Sequence, residues 1–207
     1  MSELLISVVI PTCDRPHALS QCLRSLSSDV QTFNGGQYEI IVSDDGTSSF
    51  PEELLSAYPA LKYRRGARMG PAANRNQGAR AACGRYLAFI DDDCTAAPQW
   101  LSAFAQASSE GGEPVFEGRT TTDYPLKDAF AHAPINETGG YLWSCNFMIE
   151  RELFNKLGGF DPQFPYPFLE DVDFRTRLLA AGYAFRFVEN AVVVHPQRAL
   201  VTPSRYA

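Results

Sequence analysis

The sequence lacks the features that mark several classes of protein. Its 207 residues contain no block of Lys or Arg, and 24 acidic residues against 18 basic ones give a formal net charge of -6. Because a protein that binds nucleic acid mainly through phosphates needs a basic surface, we expect no nucleic-acid partner. No apolar run approaches the ~18 residues of a membrane-spanning helix, and "MSELLISVVIPT" is too short and too acidic for a secretory signal. These absences predict a cytoplasmic protein and leave peripheral contact with a membrane open.

The cysteines also lack the spacing of a redox or zinc motif. There are five of them, an odd number, and no C-x-x-C pair occurs, which favours a reduced setting with buried or inert thiols. Hydrophobic residues make up 45% of the chain and charged residues 20%, as in ordinary soluble globular proteins. A chain of this length buries roughly 70% of its unfolded surface on folding, so it can form a substantial hydrophobic core.

Strand-like and helix-like segments alternate over the first 110 residues. The apolar, β-branched runs predict strands, and the first of them is expected to stop at Pro11. Between these runs lie segments with helical spacing, and Pro16, Pro71 and Pro98 lie near the starts of three of them. The predicted strands are 4–10, 38–43, 61–65 and 85–90, and the predicted helices are 17–26, 51–58, 70–83 and 98–108. This order predicts an α/β fold with a mostly parallel central sheet and helices on both faces.

The pattern loosens after residue 110. One strand is expected at 115–120, followed by a mobile loop at 121–140. The segment "YLWSCNFMIERELFNKLGGFD" predicts a strand that passes into a helix, and the two adjacent glycines favour the end of that helix. The segment "EDVDFRTRLLAAGYAF" predicts another helix, and "FRFVENAVVVHP" predicts a pair of short strands around Glu189 and Asn190.

Polar clusters follow three of the predicted strands: "PTCDRP", "SDDGTSS" and "DDDCTAAP". Ligands of such sheets bind at the carboxyl ends of the strands. Asp91, Asp92 and Asp93 end a buried strand, where they repel one another and lose solvation, so a positive partner is expected. A divalent cation such as Mg²⁺ or Mn²⁺ prefers oxygen ligands of this kind. The alternatives are that these acids cap the next helix or lie in water.

Other candidate residues have equally ordinary alternatives. The Asp-Gly pair after Asp44 is typical of a turn, and acids at a helix start, such as Glu170 and Asp171, complement the helix dipole. His195 follows an apolar strand and is either structural or a further metal ligand. Arg75 lies in a predicted helix, where it either faces solvent or binds a phosphate or carboxylate.

Taken in order, five segments resemble glycosyltransferase family 2, whose members have the GT-A fold. These segments are "SVVIPTCDRP", "YEIIVSDDGTSS", "GPAANRNQGARAACGRYLAFIDDD", "WSCNFMIERELFNKLGGFD" and "EDVDFRTRLLAAGY", and they span roughly residues 6–195. Each motif is weak alone, but five in this order and spacing are specific. The resemblance implies one domain over 1–207, with a nucleotide-binding half at about 1–110 and an acceptor-binding half at about 111–207.

The resemblance implies a nucleotide-diphosphate sugar as donor, a divalent metal (Mn²⁺ or Mg²⁺) and a sugar, lipid-linked or small-molecule acceptor. Asp44 or Asp45 would receive the base or ribose, and we favour Asp45 for the base. The residues that the resemblance places around the nucleotide-sugar are Pro11, Thr12, Arg15, Asp44, Asp45, Arg75, Asp91 and Asp92. It makes Asp93 the main metal ligand and His195 the residue that completes the metal site.

Asp171 matches the general base of the family, and Glu170 is the alternative. The implied reaction is a single displacement with inversion, in polysaccharide or glycoconjugate synthesis. Tyr141 and Trp143 belong either to the core or to a sugar-binding surface.

Two other functions compete with sugar transfer. A nucleotidyltransferase would need a glycine-rich, basic phosphate loop that "PTCDRP" does not resemble, and a non-catalytic sugar-nucleotide binding module would not need both Asp93 and Asp171.

Overall fold

The computed structural model describes residues 4–123 and 131–199. Six α-helices occur in these ranges: α1 (Pro16–Ser25), α2 (Glu52–Ala57), α3 (Pro71–Arg80), α4 (Trp100–Ser109), α5 (Arg151–Lys156) and α6 (Glu170–Ala180). The first five strands are β1 (Ile6–Thr12), β2 (Tyr38–Asp44), β3 (Lys62–Arg65), β4 (Tyr86–Ile90) and β5 (Thr95–Ala96). The others are β6 (Val115–Thr121), β7 (Ala131–His132), β8 (Asn146–Glu150), β9 (Arg186–Val194) and β10 (Arg198–Ala199). One 3-10 turn, Gly35–Gln37, precedes β2.

Eight of the strands form one sheet in the order β3-β2-β1-β4-β8-β6-β9-β5. Four of its seven neighbouring pairs are parallel: β3 with β2, β2 with β1, β1 with β4, and β6 with β9. Strand β8 runs antiparallel between β4 and β6, and β5 pairs antiparallel with β9. The prediction of a mostly parallel α/β sheet is therefore confirmed. Strands β7 and β10 form a separate antiparallel pair.

The helices cover both faces of this sheet, as the alternation of its side chains requires. In β1, Val8 joins the hydrophobic cluster that contains Leu23 of α1 and Phe104 of α4. The next residue, Val9, joins the opposite cluster, which contains Phe154 of α5 and Phe174 of α6. Because both faces of the central strands are buried, their sequences are continuous apolar runs rather than alternating ones.

Strand β1 does not stop at Pro11, as we expected, but continues to Thr12. Its pairing with β4 ends at Val9, whereas its pairing with β2 extends to Thr12 opposite Asp44. Pro11 thus lies in a stretch of the strand with a partner on one side only. A proline is tolerated there because its missing N–H interrupts no second ladder.

The expected strand pair around Glu189 and Asn190 is in fact the single strand β9. The prediction was wrong because these polar residues form an irregularity instead of a turn. The register of β9 against β6 shifts between Gly118, which pairs with Val188, and Arg119, which pairs with Val192. Extra residues on one strand of a pair produce a β-bulge, which bends the strand without ending it.

Part of the expected loop at 121–140 lies outside the described residues. Within the described part, Asn136 exchanges backbone hydrogen bonds with Thr120 at 2.8 and 3.0 Å, so this stretch is attached to the end of β6. None of the helices in residues 4–123 and 131–199 combines the length and the apolar character needed to cross a membrane.

Gly70 permits a close approach that positions the segment before α6 against the start of α3. It has φ 91° and ψ 175°, a backbone region that only glycine adopts readily. A Cβ atom there would overlap with the backbone carbonyl of Pro165. The Gly70 N–H donates to Asp45 Oδ2 at 3.1 Å, so the same residue also contacts the rim of the sheet.

We expect Gly70→Ala to lower the free energy of unfolding by more than Gly112→Ala. Gly112 also has a positive φ, 101°, but no atom lies within 4 Å of an added Cβ. The control should therefore show only the backbone penalty, roughly 1–2 kcal/mol, whereas Gly70→Ala adds overlap worth about 1–3 kcal/mol more. Urea unfolding followed by circular dichroism measures both. Equal losses would mean that the segment around Pro165 does not depend on Gly70.

Candidate active site

The carboxyl ends of β1, β2 and β4 meet at one rim of the sheet. Thr12 lies opposite Asp44 in the parallel register, and the backbone N–H of Asp45 donates to the Thr12 carbonyl at 2.9 Å. The Thr12 hydroxyl donates to Asp92 Oδ2 at 2.6 Å. The structure thus brings together the three polar clusters that the sequence placed at strand ends.

Arg15, in the turn between β1 and α1, compensates two of the three adjacent acids. Its guanidinium lies 2.6 Å from Asp92 Oδ1 and 3.3 Å from Asp93 Oδ2. Asp92 is fully buried, and burial raises the pKa of its carboxyl to about 7, against the opposing effects of Arg15 and the Thr12 hydroxyl. Positive charge does meet these acids, as we expected, and in this structure arginine side chains supply it.

Arg75 pairs with the third of these acids, Asp91. Its side chain is buried in α3, and its guanidinium lies 2.6 Å from Asp91 Oδ1 and 3.0 Å from Glu170 Oε1. Burial lowers the pKa of Arg75, but Asp91 and Glu170 outweigh that effect and raise it overall. The Arg75 Cζ atom also lies 5.8 Å from the centre of the Phe160 ring. The sequence left open whether Arg75 faces solvent or binds a phosphate or carboxylate. In the structure it is buried and pairs with two carboxylates.

Glu170 and Asp171 are adjacent at the start of α6 but occupy different environments. Glu170 is 2% exposed and accepts from Arg75 and, at 3.4 Å, from the Ser144 hydroxyl. Burial raises the pKa of Glu170, and Arg75 opposes this rise. Asp171 is half-buried, and its carboxylate accepts from the backbone N–H groups of Ser144 at 3.5 Å and Val172 at 2.8 Å. Glu170 is thus fixed in a buried ion pair, whereas Asp171 remains partly exposed.

Asp93 and His195 meet even though 102 residues separate them in the chain. The pairing of β5 with β9 brings Val194 opposite Thr95, and His195 Nε2 then lies 3.7 Å from Asp93 Oδ1. The His195 Nδ1 atom lies 2.8 Å from the Pro196 carbonyl. Because a carbonyl only accepts hydrogen bonds, Nδ1 is the donor to Pro196, and Nε2 is the ring nitrogen that faces Asp93.

These residues fit a divalent cation. Ligand atoms of Asp93, Cys94 and His195 all lie within 4.8 Å of one another. Two atoms bound to one cation at ~2.1 Å are at most about 4.2 Å apart, and the 3.7 Å between Asp93 and His195 is within that limit. Cys94 lies in the same cluster, but burial and the hydrogen bond with Cys145 raise the pKa of its thiol, so proximity alone does not make it a ligand.

A cavity of about 230 Å³ opens beside this rim. Its lining includes Thr12, Arg15 and Asp44 from the sequence prediction and also Asp14, Ser48 and Phe50, which we had not singled out. Asp14 accepts from the backbone N–H groups of Thr47 and Ser48 at 3.0 and 3.1 Å, and these bonds lower its pKa to about 2. The loops after β1 and β2 are thereby joined around the cavity.

The two acids at the end of β2, Asp44 and Asp45, bind different partners. Asp44 lines the cavity and accepts from Tyr63 Oη at 3.1 Å and Arg65 Nη1 at 3.2 Å. Asp45 instead accepts from the backbone N–H groups of Arg68 at 3.0 Å and Gly70 at 3.1 Å, and burial raises its pKa. Neither Asp45 nor Pro11 is part of the cavity lining.

Several residues of the site were missed from the sequence. Arg65, Ser144 and Cys94 gave no signal, because each acts on a partner that is distant in the chain or lies in a segment that we interpreted as structural. Asp14 lies within "PTCDRP" and could have been singled out with Arg15, since an acid after a strand often binds the N–H groups of a neighbouring turn.

The sequence of this chain resembles those of known proteins. The model of "Glycosyl transferase family 2" matches residues 7–158. Glycosyltransferase AglE of Haloferax volcanii is 27% identical over 210 residues, which cover 93% of this chain and 67% of AglE. A GalNAc(5)-diNAcBac-PP-undecaprenol beta-1,3-glucosyltransferase of Campylobacter jejuni is 33% identical over 117 residues, 54% of this chain and 37% of the relative.

Solved structures give the same fold. A crystal structure of S. aureus TarS 1-349 in complex with UDP has a TM-score of 0.72 at 18% identity, and the match covers 93% of this chain and 60% of that one. The chain therefore spans between about one third and two thirds of the lengths of these relatives. Since the family model matches well over half of the chain, the protein belongs to glycosyltransferase family 2 and is a glycosyltransferase with the GT-A fold.

Proposed function

We propose that the chain transfers a sugar, with inversion, from a nucleoside-diphosphate sugar to an acceptor hydroxyl in the synthesis of a polysaccharide or glycoconjugate. The observation that carries this proposal is the different treatment of two neighbouring acids. Glu170 is held by Arg75 inside the protein, while Asp171 is partly exposed and accepts hydrogen bonds from backbone N–H groups. A general base must reach its substrate and exchange a proton, and only Asp171 has that freedom.

The donor would lie across the rim formed by β1, β2 and β4. Asp44 supports recognition of the base or ribose, because it faces the cavity and is oriented by Tyr63 and Arg65. Arg15 lies between this cavity and the three acids, where its planar guanidinium suits a diphosphate. The match to TarS with bound UDP makes a uridine nucleotide the first donor to test.

Asp93 and His195 would hold a divalent cation, Mn²⁺ or Mg²⁺, which neutralises charge on the diphosphate. Their separation of 3.7 Å supports this assignment. Asp92 would contribute indirectly, because its ion pair with Arg15 and its hydrogen bond from Thr12 fix the loop that carries Asp93.

The residues of this chain then perform one displacement. Asp171 accepts the proton of the acceptor hydroxyl, and that oxygen attacks the anomeric carbon as the bond to the nucleoside diphosphate breaks on the opposite face. The nucleoside diphosphate leaves with the electron pair of that bond. Because nucleophile and leaving group occupy opposite faces, the configuration at the anomeric carbon inverts.

The acceptor half is assigned to about 111–207 and the nucleotide half to about 1–110. The cavity lining comes entirely from residues 12–51, and Asp171 belongs to the second half, which supports this division. The Campylobacter relative is named for an acceptor linked to PP-undecaprenol, so a lipid-linked acceptor and peripheral contact with a membrane belong to the same proposal. Membership of a glycosyltransferase family argues against the nucleotidyltransferase alternative.

We expect Asp171→Asn to lower turnover by roughly 10²–10⁴, the usual contribution of a general base, without weakening UDP binding in the presence of Mn²⁺. The amide keeps the size of the carboxyl but does not accept the proton. Steady-state rates with UDP-sugars and calorimetric titrations of UDP measure the two effects separately.

The matched control is Glu170→Gln. It removes a charge from the buried pair with Arg75, so it should lower the free energy of unfolding, on the order of 3 kcal/mol, while Asp171→Asn should leave it nearly unchanged. If Glu170→Gln abolished turnover in folded protein while Asp171→Asn did not, Glu170 would be the base.

We expect Asp44→Ala to weaken UDP binding by about 1.5–3 kcal/mol, because a charged hydrogen-bonding group is lost from the cavity. Asp45→Ala should affect UDP less, since its carboxylate orders the backbone of Arg68 and Gly70. Calorimetry on both variants tests the order. The reverse order would assign recognition of the nucleobase to Asp45, as we expected from the sequence.

Two further variants separate the charges around the candidate metal site. Asp93→Ala should remove Mn²⁺-dependent UDP binding. Arg15→Ala should bind Mn²⁺ alone about twofold to fivefold more tightly, because a partly exposed ion pair worth up to ~1 kcal/mol no longer competes for Asp93, yet it should bind UDP more weakly. Electron paramagnetic resonance of free Mn²⁺, with and without UDP, measures both. An unchanged Mn²⁺ affinity in Asp93→Ala would leave Asp93 as a partner of Arg15 only.

A further inference from the structure

Two aromatic side chains form a stacked pair beside Asp171. The ring centres of Tyr141 and Trp143 lie 5.1 Å apart and their planes differ by 14°. Trp143 packs against the hydrophobic core, whereas Tyr141 is 44% exposed. Trp143 stacks against one face of the Tyr141 ring, and Tyr141 remains partly exposed. We call this partly exposed, stacked pair the aromatic platform.

A buried carboxylate holds the backbone of this platform. Glu117 of β6 is 1% exposed, and it accepts from the backbone N–H groups of Gly140, Tyr141 and Leu142. The Asn136 side-chain amide donates to it as well, at 3.1 Å. A buried carboxylate is costly unless such donors satisfy it, and here they fix three consecutive residues.

The backbone under the platform is also strained. Leu142 has φ 53°, a left-handed conformation that is uncommon for a residue other than glycine. Such conformations persist only where surrounding interactions impose them, and they cluster at functional sites. Tyr141 is partly exposed although its backbone is held in place, which is not what a residue that only fills the core requires.

Helix α6 connects the platform to the candidate base. Arg175 donates to the carbonyls of Gly140 at 2.7 Å and Tyr141 at 3.3 Å. It follows Asp171 by four residues, so the two side chains share a face of the helix. On the other side of the platform, the Ser144 N–H reaches Asp171 Oδ2 at 3.5 Å. Both ends of the segment 140–144 are thus attached to the helix that carries Asp171.

We propose that the aromatic platform binds a pyranose ring of the acceptor. This inference rests on the proposed function, in which Asp171 takes a proton from the acceptor hydroxyl. The face of an aromatic ring is negative, so it attracts the polarised C–H groups on the apolar face of a sugar. The nucleotide would occupy a different place, the cavity lined by residues 12–51, which leaves the platform to the acceptor. The acceptor class is then a glycan or glycoside rather than a simple alcohol or a protein side chain.

The experiment compares Tyr141→Ala with Tyr141→Phe, which keeps the ring, and with Tyr183→Ala, which removes a half-exposed tyrosine beyond the far end of α6. The probes are methyl α- and β-pyranosides of glucose, galactose, N-acetylglucosamine and N-acetylgalactosamine. Saturation-transfer NMR detects their binding without turnover. We expect at least one pyranoside to bind the parent, Tyr141→Phe and Tyr183→Ala, and to bind Tyr141→Ala at least tenfold more weakly.

Kinetics with the pyranoside that binds supply a second readout. Tyr141→Ala should raise the acceptor KM at least tenfold while the KM for the UDP-sugar and its slow hydrolysis stay at parental values. If no pyranoside binds the parent, or if Tyr141→Ala loses stability to urea but binds the sugar normally, the proposal is overturned. If pyranosides bind through Tyr141 but no UDP-sugar is turned over, the proposed function fails and the platform stands.

Discussion

The buried guanidinium of Arg75 joins two parts of the chain that carry different chemistry. It lies between Asp91, at the end of β4, and Glu170, at the start of α6. A charge at that depth is tolerated only because it has carboxylate partners on both sides. It holds Glu170 inside, whereas the next residue, Asp171, remains partly exposed. The different environments of these two adjacent acids therefore follow from the burial of one arginine.

The same interaction explains how so many acids share one rim. Asp91, Asp92 and Asp93 are joined there by Glu170 and Asp171, while Arg15 and Arg75 are the arginines that pair with them. The arginines remove part of the repulsion, and the negative charge that remains around Asp93 and His195 favours a cation. A diphosphate is itself an anion, so the donor in the proposed function would approach this acidic rim most favourably together with a cation.

Much of this architecture was predictable from the sequence because it is local. The acids that follow buried strands predicted the polar rim, and the order of strands and helices predicted the class of fold. The bulge in β9 was not predictable, because the polar pair Glu189–Asn190 is typical of a turn and only the register against β6 keeps the strand continuous. The different orientations of Asp44 and Asp45 were hidden for a similar reason. Their partners, Arg65 and Gly70, belong to later segments whose approach depends on the tertiary fold.

The arrangement of the aromatic platform was also not predictable from the sequence. Tyr141 and Trp143 are two residues apart, a spacing that predicts neither a helix face nor a stacked pair, and the sequence left their role open. Their arrangement depends on Glu117, 24 residues before Tyr141, which collects the N–H groups of the loop. The two buried ionic groups therefore play matching parts. Arg75 orders two acids of the candidate active site, and Glu117 orders the aromatic surface beside them. Because both Arg175 and Ser144 attach that surface to α6, a change in the position of the helix would move the candidate base and the platform together.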